Sequence, residues 1–121
     1  MQILIVEDDH RVCELLSDVL TPEHAVTVAA DGEAAFASLP RVRPDVVLLD
    51  VNLPGMSGLE VLKRLRALDP TLPVIMITGT ADEVAVTMAL KRGAFAYVPK
   101  PFNVEYVKHL VAAVRGVPGV S

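Results

Sequence analysis

Several short apolar runs in this sequence end in residues that could do chemistry. ILIV at 3–6 is followed by Glu7, Asp8 and Asp9, and VVLL at 46–49 by Asp50. VIMI at 74–77 gives way to Thr78 and Gly79, and AYV at 96–98 to Pro99 and Lys100. Each residue has a quieter reading: Asp9 as a helix N-cap, Thr78 as a turn residue, Lys100 as a loop lysine paired with Asp50. An acidic pair and Asp50 brought to one edge are harder to explain as structure. Like charges a few ångströms apart repel and raise one another's pKa, and a cation resolves the conflict. Hard oxygen donors with few others favour Mg²⁺, which binds through one or two carboxylates plus a phosphate and keeps several waters. The chemistry suggested is phosphoryl transfer.

The elements that must carry these residues alternate regularly. A helix after ILIV has Asp9 as its N-cap and Val12, Leu15, Leu16, Val19 and Leu20 at helical spacing, ending at Thr21 and Pro22. The weaker strand AVTVA at 25–29 leads through Asp31-Gly32 to a short helix buried through Ala35, Phe36 and Leu39. Pro40 and Pro44 bracket the connection to VVLL. Ser57 caps a helix with Leu59, Leu62, Leu65 and Leu68 facing inward, and Pro70 and Pro73 end that segment. A fourth helix runs from about Asp82 to Arg92 through Val84, Ala85, Met88 and Ala89, with Gly93 at C′. The last runs from Asn103 to Arg115 and stops at Gly116. Such alternation implies βαβ units with right-handed crossovers, hence a parallel sheet covered on both faces in a three-layer α/β sandwich. In that architecture ligands bind beyond the carboxyl ends of the strands, where the polar residues above fall.

The bulk composition narrows the classes. At 121 residues, 52% hydrophobic and 21% charged, the chain fits one globular domain. No apolar run approaches the roughly 18 residues needed to span a bilayer, and MQILIVEDD does not read as a signal peptide. The single Cys13 lies in an apolar helical pattern and reads as a buried structural thiol, so a reducing cytoplasm is the expected setting. The net charge of −4 and the absence of a basic stripe argue against direct nucleic-acid binding. A phosphate loop is excluded because GxxxxGK[ST] is missing and the first strand-to-helix turn is acidic, which also counts against a flavin site. An aspartate-nucleophile phosphatase would want a carboxylate two residues after Asp50, where Asn52 stands.

Four segments together, ILIVED at 3–8, VVLLDVNLPGMSG at 46–58, VIMITG at 74–79 and YVPKPF at 97–102, resemble the receiver domain of two-component response regulators over essentially the whole chain. The resemblance implies a doubly wound, flavodoxin-like (βα)5 fold with strand order 2-1-3-4-5, over residues 1–116, with 117–121 a tail or the start of a linker. It places the phosphorylated aspartate at Asp50. It implies Mg²⁺ held by Asp8 and Asp50 directly, by the backbone carbonyl of Asn52, and by Glu7 through water. Thr78 and Lys100 would bind the phosphoryl group, assisted by the backbone at Asn52 and Gly79, with a cis peptide before Pro101 and Tyr97 as an aromatic switch. Asn52 and Thr80 stand where the family tunes phosphoryl lifetime, Glu7 replaces a frequent aspartate, and Ala96 replaces a frequent acidic residue.

The implied function is a regulatory phosphoacceptor, not an enzyme with an external substrate, charged by a histidine kinase or phosphotransfer protein. Its output would leave through the face of helix 4, strand 5 and helix 5 toward a downstream domain, an effector or a second copy. On the last helix Val104, Val107, Val111 and Val114 form a stripe that Tyr106, Leu110 and Ala113 widen beyond the ~100° a core-facing helix needs; deeper core contact and a partner surface both remain open. Two competitors are a phosphorylation-independent interaction module and a metal-dependent phosphohydrolase. The complete set Glu7, Asp8, Asp50, Thr78 and Lys100 speaks against the first.

Overall fold

A computed structural model describes residues 1–79 and 83–114. Its elements are β1 (Gln2–Val6), α1 (His10–Leu20), β2 (Ala25–Ala29), α2 (Gly32–Val42), β3 (Val46–Asp50), α3 (Gly58–Leu68), β4 (Val74–Thr78), α4 (Glu83–Lys91), β5 (Ala96–Pro99) and α5 (Val104–Ala113). The strands form one parallel sheet in the order β2-β1-β3-β4-β5. This is the doubly wound α/β sandwich expected from the alternation. Thr80, Asp82, the end of the last helix at Arg115 and Gly116, and the tail 117–121 lie outside the described residues.

The alternation of side chains along each strand divides the interior into two cores. Ile3, Ile5, Val46, Leu48, Ile75 and Ile77 face α1 and α5, where they meet Cys13, Leu16, Val107 and Val111. Leu4, Val6, Val47, Leu49, Val74 and Met76 face the other helices, meeting Ala35, Val61, Leu62, Leu65 and Ala89. Every residue of β3 and β4 is buried, so the two strands that carry Asp50 and Thr78 are gripped from both sides. Burial of a large aliphatic side chain contributes about 1.5–3 kcal/mol, which makes these strands a stiff mount.

The helix termini follow their sequence signals. Asp9, Asp31, Ser57 and Asn103 cap α1, α2, α3 and α5 by accepting from backbone N–H groups one turn in. Gly93, at φ +96°, ends α4 in a Schellman arrangement, with Ala94 N–H donating to Ala89 C=O and Gly93 N–H to Leu90 C=O.

Two expectations about facing and boundaries are corrected. Pro40 lies inside α2 instead of ending it, because only the last turn follows and Arg43, in the left-handed region at φ 48°, closes the helix with its N–H on Leu39 C=O. Leu15 and Leu68 are exposed, and Val61 takes the inward place beside Leu62 and Leu65. On α4, Val84 and Met88 face outward while Ala89 packs inward, the helix resting mainly on α3 and on β5 at the sheet edge. On α5 the core claims Leu110 with Val107, Val111 and Val114, whereas Tyr106 and Ala113 face solvent.

Candidate functional site

Strand register brings the strand-end residues together. Val6 pairs with Leu49, and Asp50 pairs with Ile77, so the residue after β1 and the last residue of β3 stand side by side. Thr78 pairs with Pro99, and Lys100 N–H donates to Thr78 C=O at 2.7 Å, which extends the ladder past the end of β5. The Lys100–Pro101 peptide bond is cis. Glu7, Asp50 and Thr78 are all buried, unlike Asp8.

One carboxylate oxygen from each of Glu7, Asp8 and Asp50 lies within 4.8 Å of the other two. Among the described residues one cation answers this charge: Lys100 Nζ donates to Glu7 Oε2 at 3.0 Å and Oε1 at 3.2 Å, and to Asp50 Oδ2 at 3.4 Å. The other Asp50 oxygen, Oδ1, accepts from Asn52 N–H at 3.1 Å. Asp9 N–H adds a bond to Glu7 Oε1 at 3.2 Å. Among the described residues no hydrogen bond or ion pair engages the Asp8 carboxylate.

Burial pushes the Glu7 carboxyl up to about 7, with the charge of Asp50 adding to the rise and the bond from Lys100 opposing it. Burial acts on Lys100 in the lowering direction, but its bonds to Glu7 and the charge of Asp50 outweigh it and hold the ammonium above the ordinary lysine value. The lysine therefore stays charged, and the carboxylate is the group that titrates. Beneath the cluster the Cys13 thiol donates to Glu7 C=O at 3.4 Å; burial pushes its pKa up, which fits a structural thiol.

The loop after Asp50 depends on a glycine whose role the sequence did not announce. Gly58 N–H donates to Val51 C=O at 2.8 Å, and a Cβ at position 58 would lie 2.1 Å from the Asp50 carbonyl oxygen. The backbone of α3 thus presses directly on the backbone of the nucleophile candidate. Gly79 is exposed and a Cβ there would meet only Lys100 Cδ, at 3.7 Å, so its smallness matters for what approaches from outside.

The sequence model of the response regulator receiver domain matches residues 3–114. The chain belongs to this family. Receiver domains are the phosphoacceptor switches of two-component signalling, and this domain shares that general, regulatory role. It is 45% identical over 115 residues to the DNA-binding response regulator MtrA of Mycolicibacterium smegmatis, covering 94% of this chain and 49% of that protein. It is 42% identical over 116 residues to the sensory transduction protein RegX3 of Mycobacterium bovis, covering 95% of this chain and 49% of the relative. The chain thus spans about half the length of the curated relatives it matches. Among solved structures, the receiver domain of NtrX from Brucella abortus superposes with a TM-score of 0.88 at 30% identity, covering 93% and 96% of the two chains. A CheY-like receiver domain protein from Methanospirillum hungatei gives 0.86 at 29% identity, covering 94% and 93%. No described helix of this receiver domain is long and apolar enough to cross a membrane.

Receiver domains bind Mg²⁺ at an acidic pocket, and the donor set here fits that ion: all oxygen, negatively charged, and open to water on the Asp8 side.

Proposed function

We propose that Asp50 is the residue this receiver phosphorylates, and that Thr78 and Lys100 hold the phosphoryl group. The observation that carries this reading is a buried carboxylate on a rigid strand end, 3.4 Å from a charged ammonium and grouped with two further carboxylates. An Asp50 oxygen attacks phosphorus in line as the bond to the donor's leaving group breaks, giving an acyl phosphate. Little covalent help is needed, because the barrier is lowered mainly by positioning and charge neutralisation. Lys100 transfers its contact from the carboxylates to the phosphoryl oxygens, and the Thr78 hydroxyl donates to them. Backbone N–H groups at Asn52 and Gly79 complete the cradle. Mg²⁺ would be held by Asp8, Asp50 and the Asn52 carbonyl, with Glu7 reached through water, and it supplies charge neutralisation. Thr80, two residues beyond Thr78, belongs to the same reading as a residue tuning phosphoryl lifetime.

The donor in this reading is a sensor histidine kinase or a phosphotransfer protein, or a small acyl phosphate in vitro. Output would run from Thr78 through Tyr97, half-buried on β5, to the surface of α4, β5 and α5. That surface exposes Val84, Met88, Leu90 and Tyr106, which suits a second copy or a downstream domain; Tyr106→Ala should weaken that association. Receivers act by population shift, so the phosphoryl contacts need only favour one of two existing arrangements.

Incubation with acetyl phosphate and Mg²⁺ tests the core of the proposal. The intact mass should rise by one phosphate, and Asp50→Asn should abolish the gain. No gain in the wild-type chain would sink it.

A further inference from the structure

Away from the acidic pocket, the ends of α2 and α3 line a cavity of about 460 Å³ for which phosphoryl chemistry has no use. It lies toward the amino ends of β3 and β4, since the lining residues Pro44 and Leu72 each stand just before one of those strands. Phe36 and Leu39 of α2 and Leu65 of α3 supply apolar wall, and Leu68 joins them although it is exposed to solvent. Pro40 and Pro44 also line the cavity and fix the backbone around the end of α2, so part of the wall is set before anything binds. Small-molecule sites are clefts of roughly 300–1,000 Å³ with apolar walls and a few polar groups, and this cavity has that form.

The polar groups are Arg43 and Asp69. Among the described residues no ion pair joins either one to the other or to a third side chain. Asp69 is held in place, its Oδ1 accepting from the Thr71 hydroxyl at 2.6 Å and the Thr71 N–H at 2.9 Å. These bonds hold its carboxyl below the usual aspartate value, so it is charged at neutral pH. Arg43 closes α2 in the left-handed region, at φ 48°, where glycine is the usual and least strained occupant. An arginine is thus kept where the backbone alone favours glycine.

We propose that this cavity binds a small zwitterion with an apolar side chain, the chemistry of a free apolar α-amino acid. Arg43 takes its carboxylate, Asp69 its ammonium, and the apolar walls its side chain. A monoanion would meet the like charge of Asp69, and a monocation that of Arg43. A neutral molecule would engage neither charge. Only a ligand carrying both signs answers both residues. The proposal stands apart from the phosphoacceptor reading, because none of these residues belongs to the Asp50 site.

The probe is L-phenylalanine, compared with 3-phenylpropionate, which lacks the ammonium, and phenethylamine, which lacks the carboxylate. Titration followed by methyl NMR should shift Leu39, Leu65, Leu68 and Leu72, with a Kd of about a millimolar, the order a ligand of this size supports. Each analogue should bind about fivefold more weakly, the worth of a partly exposed ion pair. Arg43→Gly relieves the backbone at that position, so the variant should be at least as stable as wild type in urea. It should nevertheless bind L-phenylalanine about fivefold more weakly, no better than phenethylamine. Asp69→Asn leaves an oxygen for Thr71 and should erase the preference for L-phenylalanine over 3-phenylpropionate while keeping that over phenethylamine. The proposal is overturned if these methyls do not shift, if either analogue binds the wild-type chain as well as L-phenylalanine does, or if a stable Arg43→Gly variant binds L-phenylalanine with unchanged affinity.

Discussion

Two cations sit near opposite edges of the sheet, and their surroundings could hardly differ more. Lys100, past the carboxyl end of β5, has carboxylate partners in Glu7 and Asp50. Arg66, near the end of α3, reaches carbonyls: its Nη1 donates to Pro70 C=O at 3.3 Å and to Gly93 C=O at 3.5 Å. Among the described residues, its Nε and Nη2 are buried without a hydrogen-bond partner. Burial lowers the Arg66 pKa from the ordinary arginine value, with the charge of Asp69 opposing. For Lys100 the partners outweigh burial and the pKa rises. Both positions strip water from a cation, but only one replaces it with negative charge. Leaving polar groups uncompensated is costly, so the Arg66 end reads as packing that tolerates a charge. The Lys100 end reads as a place where charge has been assembled.

The same contrast appears in the glycines. Gly58, beside Asp50, has no room for a Cβ, which would lie 2.1 Å from a backbone oxygen. Gly93, beside Arg66, would place a Cβ 3.0 Å from the Cδ of that flexible side chain, and its constraint is mainly its positive φ. Gly58→Ala should therefore be the most damaging change at either edge, costing at least about 3 kcal/mol in urea unfolding because the α3 backbone must move. A variant as stable as wild type would show that the loop after Asp50 yields freely.

Lys100→Met comes next. Removing one partner of a buried ion pair leaves uncompensated charge, so the metal-free protein should lose on the order of 3 kcal/mol at pH 8. Part of that loss should be recovered at pH 5, where Glu7 takes a proton. An unaffected midpoint at pH 8 would mean that the cluster is not held by its lysine.

The pH dependence follows from the direction of the Glu7 shift. Its folded pKa is raised from 4.5 to about 7, so the folded state holds this proton more tightly than the unfolded chain. The contribution of this group is most favourable below pH 4.5, declines as the pH rises toward 7, and is fully lost above that. The decline integrates to roughly 3 kcal/mol. Carboxyl-carbon NMR of Glu7 should show a midpoint near neutrality, and millimolar Mg²⁺ should move it downward. A midpoint near 4.5 would remove the basis for this dependence.

The smallest effect is expected at Arg66. Arg66→Met discards two unpartnered donors and keeps the aliphatic packing, so stability should change by no more than about 1 kcal/mol, in either direction. A loss as large as that of Lys100→Met would erase the contrast between the two edges.

Much of the carboxyl edge was legible in the sequence because it depends on what ends each strand. Apolar runs set the strands, parallel topology aligns their ends, and Glu7, Asp8, Asp50, Thr78 and Lys100 follow. The Glu7–Lys100 pairing was not legible, because side-chain reach across two strands is a matter of ångströms that spacing does not encode. Nor was the contact of Gly58 with the Asp50 carbonyl, which depends on how closely α3 docks. Helix facing was read well where a helix covers the middle of the sheet, as α1 does with Leu16 and Leu20. It was misread for Leu68, which faces solvent while Val61 takes the inward place beside Leu62 and Leu65. Pro40 was misread as a helix stop because only tertiary context decides whether one more turn follows a proline.

Reductive trapping with borohydride after brief exposure to acetyl phosphate and Mg²⁺ tests the central claim most directly. An acyl phosphate is reduced to an alcohol, so peptide mapping should find homoserine at position 50 and unmodified Glu7 and Asp8. Reduction at Glu7 or Asp8, or no reduced residue at all, would contradict Asp50 as the phosphoacceptor.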